Sequence, residues 1–132
     1  MKQTEPLQTK KDREETMGKT IGLAELTSIT YGIAASDAML KAGQVKLLRS
    51  APACPGKYLI LIAGDTGEVK AAMEAGAEIA GKHLRNSYVI PHIHEQVLEV
   101  LSTRKKVEAR EAVGILECSM MVSALYAADM VA

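Results

Sequence analysis

The pattern of apolar residues predicts an α/β fold of the α+β type. It is a ferredoxin-like β-α-β-β-α-β-α arrangement in which a four-stranded antiparallel sheet is flanked by helices. Three observations predict it. Strand-length apolar runs recur at residues 20–26, 45–48, 58–63 and 87–90. Segments of helical periodicity separate the first run from the second and the third from the fourth. The middle two runs are joined by a turn rich in proline and glycine, as adjacent antiparallel strands would be.

In the first run Ile21, Leu23 and Glu25 alternate with Gly22, Ala24 and Leu26. The strand ends at Thr27-Ser28, residues suited to cap a helix N-terminus. In the helix that follows, Ile29, Ile33 with Ala34, and Met39 with Leu40 supply the apolar stripe expected to face the sheet. Asp37 and Lys41, four residues apart, fall on the solvent side, and Gly43 stands where a C-terminal cap is expected. Val45–Leu48 reads as a short strand, interrupted by Ser50 to Gly56 with its two prolines. Tyr58 to Ala63 is continuously apolar and reads as the next strand.

The turn Gly64-Asp65-Thr66-Gly67-Glu68 places an Asp three residues before a Glu, a capping-box-like start for a helix over 67–83. Val69, Met73, Gly76 and either Ile79 or Ala80 face inward in that helix, and Lys70, Glu74, Glu78 and Lys82 face outward. A glycine-rich turn before a helix can also cradle a phosphate. This one lacks a Walker lysine and the dinucleotide fingerprint, so it reads as a cap and tight turn. After Arg85-Asn86, residues 87–90 form a strand stopped at Pro91, and 95–101 a short closing helix.

With 132 residues, 48% of them hydrophobic, the chain can build one compact domain of roughly 100 residues. No Phe or Trp is present, so Ala, Val, Ile, Leu and seven Met carry the core. The formal charge is zero, which excludes the basic footprint of a nucleic-acid binder and leaves self-association unopposed. No apolar run approaches the length of a membrane span. Residues 1–18 are polar and charge-dense, read as a mobile tail rather than a secretory signal. Cys54 and Cys118 then read as cytosolic thiols.

Ile21-Gly22-Leu23-Ala24-Glu25-Leu26-Thr27 returns as Val113-Gly114-Ile115-Leu116-Glu117-Cys118-Ser119, at a constant offset of 92 residues. At the same offset Gly32, Ile33, Ala35 and Asp37 fall opposite Ala124, Leu125, Ala127 and Asp129. This pattern points to a tandem duplication. It divides the chain into a complete domain over 19–103, a charged linker over 104–111 and the first strand and helix of a second copy over 112–132. That second copy is expected to be a truncated piece of a longer tandem protein, or else to dock on the first domain or on a neighbouring chain. Cys118, opposite Leu26, is expected in the core of the second copy's strand.

Four motifs resemble the bacterial microcompartment shell family. They are Ile-Gly-Leu-Ala-Glu-Leu at 21–26, Ser-Asp-Ala-Met-Leu-Lys-Ala at 36–42, Ala-Gly-Asp-Thr-Gly-Glu-Val at 63–69 and Val-Ile-Pro-His-Ile-His at 89–94. Within that family, Ala-Cys-Pro-Gly-Lys-Tyr at 53–58 and the tandem layout are similar to the iron–sulfur shell proteins of propanediol-utilisation compartments, trimers of two-domain chains. The resemblance implies a structural, non-enzymatic tile in the shell of a compartment in the bacterial cytoplasm. The implied partners are further copies, in a trimer or hexamer, other shell proteins and encapsulated enzymes, with neither nucleic acid nor membrane.

The resemblance also implies a pore loop at Ala53, Cys54, Pro55 and Gly56, with Cys54 from three subunits holding a 4Fe-4S cluster for electron transfer across the shell. The residues themselves favour a presented thiol. Pro52 and Pro55 restrict the loop and Gly56 permits a sharp turn. One thiol cannot hold a cluster that takes about four thiolates, whereas a symmetry axis multiplies one residue into a ring. By resemblance, Lys41 and His92 lie at the assembly edge, although shell relatives usually show an arginine where His92 stands. His92 and His94 would share a face if the strand persisted past Pro91, a spacing a metal can use, but no third ligand accompanies them. Two alternatives stand beside the cluster: a tile with an open metabolite pore, and a small ligand-binding regulator of ferredoxin-like fold.

Overall fold

The structure, a computed structural model, describes residues 18–102, 112 and 114–132. The tail expected over 1–18 (Gly18 apart) and the charged linker over 104–111 lie outside the described residues. In chain order the elements are β1 (Thr20–Leu26), α1 (Ile29–Ala42), β2 (Val45–Ala53), β3 (Lys57–Gly64), α2 (Thr66–Ala80), a 3₁₀ turn (Gly81–His83), β4 (Leu84–Ile90), α3 (Glu95–Ser102) and α4 (Met121–Val131). The strands form one sheet in the order β2-β3-β1-β4, every neighbouring pair antiparallel. This is the predicted fold class, with an additional helix.

The sheet is covered on both faces, which is why the two central strands, Thr20, Glu25 and Lys57 apart, are apolar rather than alternating with polar residues. On one face Ala24, Leu26, Tyr58, Ile60 and Ile62 pack with Ala35 and Met39 of α1 and Val69, Ala72, Met73 and Ala80 of α2. On the other, Ile21, Leu23, Leu59, Leu61 and Ile90 pack with Ile93, with Val97 and Leu98 of α3, and with Val122 and Leu125 of α4. Full burial of each Val, Leu, Ile or Met side chain among them stabilises by about 1.5–3 kcal/mol.

The inward face of α1 differs from the expected stripe. Ile29, Ile33 and Leu40 are exposed, as is Ala34, and the buried residues are Gly32, Ala35, Ser36 and Met39. The physical reason is space: a Cβ at Gly32 would lie 2.1 Å from Cδ1 of Tyr58, so small residues let the helix close onto that ring. Ser28 caps the helix as expected, its Oγ accepting from Tyr31 N at 3.4 Å. Gly43 occupies the C-cap in an extended conformation, and its need for a hydrogen side chain comes from the carbonyl oxygen of Glu68, 2.6 Å from a Cβ placed there.

Further boundaries move. Asp65 is the N-cap residue of α2, but its side chain makes no cap hydrogen bond. Glu68 turns instead to accept from Gln44 N at 2.7 Å, so the expected capping box is replaced by a tie between α2 and the start of β2. Of the two inward candidates at the end of α2, Ala80 is buried and Ile79 is exposed. β2 runs on to Ala53 through Pro52, because an edge strand has a side that needs no donor. β4 begins at Leu84, earlier than the sequence pattern indicates.

The strand expected for the second copy does not form: residues 114–118 are irregular, and no strand among the described residues pairs with them. The helix expected after it does form, as α4, and Val122 and Leu125 seat it on the core of residues 20–98.

Candidate functional site

β2 and β3 pair as far as Ala53↔Lys57, which leaves Cys54, Pro55 and Gly56 as the tip of a hairpin. Gly56 adopts φ 61, the left-handed conformation that glycine takes without steric cost, and nothing crowds its Cα. Ala53 is half-buried at the base of the tip, and Pro55 and Gly56 are exposed. Cys54 is exposed and carries a free thiol, so the turn presents the sulfur as the proline-bracketed sequence predicts.

The stem of the hairpin is fixed from below. Ser36 Oγ donates to the Gly32 carbonyl at 2.8 Å, Ser50 Oγ lies 2.8 Å from Ser36 Oγ, and Tyr58 OH lies 2.8 Å from Ser50 Oγ. Each hydroxyl has one proton to give, so the chain runs from Tyr58 through Ser50 and Ser36 to Gly32. It ties β3, the edge strand β2 and α1 together just beneath the tip. These three residues escaped the sequence reading, which treated Ser50 as loop and Ser36 as part of a motif. The available signal was a tyrosine heading an otherwise aliphatic strand, since a buried phenol seeks a hydroxyl partner.

The remaining candidates lie apart from the tip. Lys41, in the last turn of α1, is exposed and pairs with Asp37 at 2.6 Å, the expected four-residue spacing. His92 is exposed in the turn after β4 and takes φ 53. β4 ends at Ile90, so His92 and His94 do not share a strand face, and His94 Nδ1 accepts from Gln96 N at 3.4 Å. Cys118 is half-buried in the irregular segment before α4 instead of in a strand core. At the start of β1, Lys19 meets Glu95 at 2.7 Å. The hydrogen bond and charge of Lys19 hold the Glu95 carboxyl below its ordinary value.

Among the described residues no three His, Cys, Asp or Glu side chains are grouped to hold a metal ion. Among the described residues, then, no single chain groups further ligands of these kinds around Cys54. The exposed tip fits a donor set assembled from several copies and does not fit one assembled within a chain. Among the described residues no helix is long and apolar enough to cross a membrane.

Comparison with known proteins bears on the family and the fold. The profile of the BMC domain matches residues 20–93, from the start of β1 to the residue after His92. The bacterial microcompartment shell protein PduT of Citrobacter freundii is 45% identical over 113 residues, 86% of this chain and 61% of that protein. A carboxysome shell protein of Hydrogenovibrio crunogenus is 36% identical over 92 residues, 67% of this chain and 95% of its own length. A solved microcompartment protein from Desulfitobacterium hafniense superposes with a TM-score of 0.64 at 43% identity, covering 68% of this chain and 50% of that one. The chain belongs to the BMC-domain family of microcompartment shell proteins. It spans about three fifths of the Citrobacter relative and half of the solved chain.

Proposed function

We propose that this protein is a structural, non-enzymatic tile of a bacterial microcompartment shell, with the Ala53–Gly56 hairpins of several copies converging on the pore of a trimeric or hexameric ring. The carrying observation is the exposed Cys54 thiol at the tip of a hairpin whose stem is fixed by Tyr58, Ser50 and Ser36. A thiol held out on a rigid stem, with no core to serve, is positioned for a partner outside its own chain. Three copies of Cys54 would hold a 4Fe-4S cluster, which supplies a one-electron redox centre in the shell when bound. Lys41 and His92, both exposed and away from the tip, are assigned to the edges where tiles and other shell proteins meet. The propanediol-utilisation compartment named by the resemblance, and the tandem layout, belong to the same proposal.

After anaerobic reconstitution the wild-type chain is expected to bind iron in proportion to the number of rings and to show visible charge-transfer absorbance. Cys54→Ser is expected to abolish both while leaving the mass in solution unchanged. Iron retained at the wild-type level in Cys54→Ser would sink the cluster. The second reading is an open metabolite pore lined by the same exposed hairpin tips, with no cluster. That reading predicts colourless rings of the same mass.

A further inference from the structure

Glu25 is the buried charge that the hairpin does not use. It is 1% exposed in the central strand β1, and among the described residues no ion pair reaches it. A buried carboxylate needs compensation from donors. Two supply it: Asn86 Nδ2 donates to Oε2 at 2.8 Å, and the backbone N of Met121 donates to Oε1 at 3.2 Å. Met121 is the first residue of α4, where the backbone N–H has no acceptor within the helix and the helix dipole is positive. Met120 stands at the N-cap and offers no side-chain cap. Glu25 takes the place of that missing cap from another part of the fold.

The other contacts of α4 follow the same direction. Asp129 Oδ1 accepts from His94 N at 2.6 Å, and Lys57 Nζ donates to the Ser119 carbonyl at 3.4 Å. Val122 and Leu125, each 4% exposed, fill the space between on the apolar sheet face. This is not the face that the repeat prescribes. At the offset of 92, the buried Gly32, Ala35, Ser36 and Met39 of α1 correspond to Ala124, Ala127, Ala128 and Val131. Helix α4 buries Val122 and Leu125 instead, the counterparts of Thr30 and Ile33, which α1 leaves exposed. The clamping residue Asp129 is the counterpart of Asp37, also exposed on α1.

We infer that Glu25 is the recognition element of a helix-docking site on the sheet face opposite α1 and α2, and that its occupant is helix α4 of the same chain. The site reads a bare amide at the first helical residue, apolar side chains at the second and fifth, and a carboxylate at the ninth. Held in this way, α4 is a detachable cover that closes the apolar cluster of this sheet face with Val122 and Leu125, distinct from the domain's own packed helices.

Proline is well tolerated at the first position of a helix, and the extended backbone of Met120 (φ −121, ψ 137) suits the residue before a proline. Met121→Pro in the full chain therefore removes the donated N–H while keeping the helix, and Met121→Ala controls for the lost side chain. Hydrogen exchange of peptides covering residues 122–131 is expected to be about tenfold faster in Met121→Pro than in Met121→Ala, with β1 and β3 unaltered. Glu25→Gln, which keeps an acceptor and loses the charge, is expected to accelerate exchange less, and Glu25→Gln combined with Met121→Pro to be no faster than Met121→Pro alone. Equal exchange in Met121→Pro and Met121→Ala, or full additivity in the double variant, would overturn the assignment. If Glu25→Gln does not fold, the comparison at Met121 alone decides.

Discussion

Gly22-Leu23-Ala24-Glu25-Leu26 and Gly114-Ile115-Leu116-Glu117-Cys118 align at an offset of 92 residues, yet Leu23 is wholly buried and Ile115 is 94% exposed. β1 lies between β3 and β4, which satisfy its backbone on both sides, and helices close both of its faces. Residues 114–118 have no such neighbours among the described residues. Strand formation here belongs to the pairing partners more than to the residues, as the context dependence of β-propensity leads one to expect. The helices extend the lesson: α1 and α4 align at the same offset and bury different sides, so the face that packs is set by what surrounds the helix and not by its pattern alone.

The sharpest way to break this comparison is to make the same cut in both segments. Leu23→Ala is expected to cost about 2–5 kcal/mol in chemical denaturation, and Ile115→Ala less than about 0.5 kcal/mol. Comparable losses would mean that 114–118 is buried after all. The helices offer a second, smaller contrast. Gly32→Ala pushes a methyl into the Tyr58 ring and disturbs its hydroxyl chain, with an expected cost of about 1–3 kcal/mol. At the counterpart Ala124, half-buried on α4, substitution by glycine is expected to cost about 1 kcal/mol, from helix propensity.

The smallest effect concerns the entrance to β1. Lys19 depresses the Glu95 carboxyl, so the pair favours the folded state above the unfolded carboxyl value, and that contribution is lost as pH falls through the lower folded value. Both side chains are exposed, so the change in stability is slight. In Lys19→Ala an NMR titration of Glu95 is expected to move upward toward the ordinary carboxylate range. No movement would show that the contact does not persist in solution.

Much of the fold was legible because strand length, turn chemistry and helical period agreed with one another. β1, β3, the Ser28 cap and the Asp37–Lys41 pair could be placed from the residues alone, and so could the presented Cys54. The inward face of α1 was not legible, because the period picks out large apolar residues while the packing selected small ones that admit Tyr58. The full length of β2 is not legible because Ser50 to Gly56, with its two prolines, has the composition of a turn, and edge position, a property of the whole sheet, is what tolerates Pro52 in a strand. The role of Glu25 depends on Asn86 and Met121, and that of Tyr58 on a hydroxyl chain that reaches Ser36 through Ser50, links that no local pattern shows.

The hydroxyl chain beneath the hairpin has a mechanical consequence. With Ser50 and Tyr58 pinned to α1, the stem behaves as a cantilever clamped at its root, and the freedom left to the molecule there is confined to the few residues from Ala53 to Lys57. Whatever stands at the free end can be exchanged with little disturbance to the clamp. Chemistry at the tip and stability of the domain are thereby placed in separate parts of the chain, where each can change without the other.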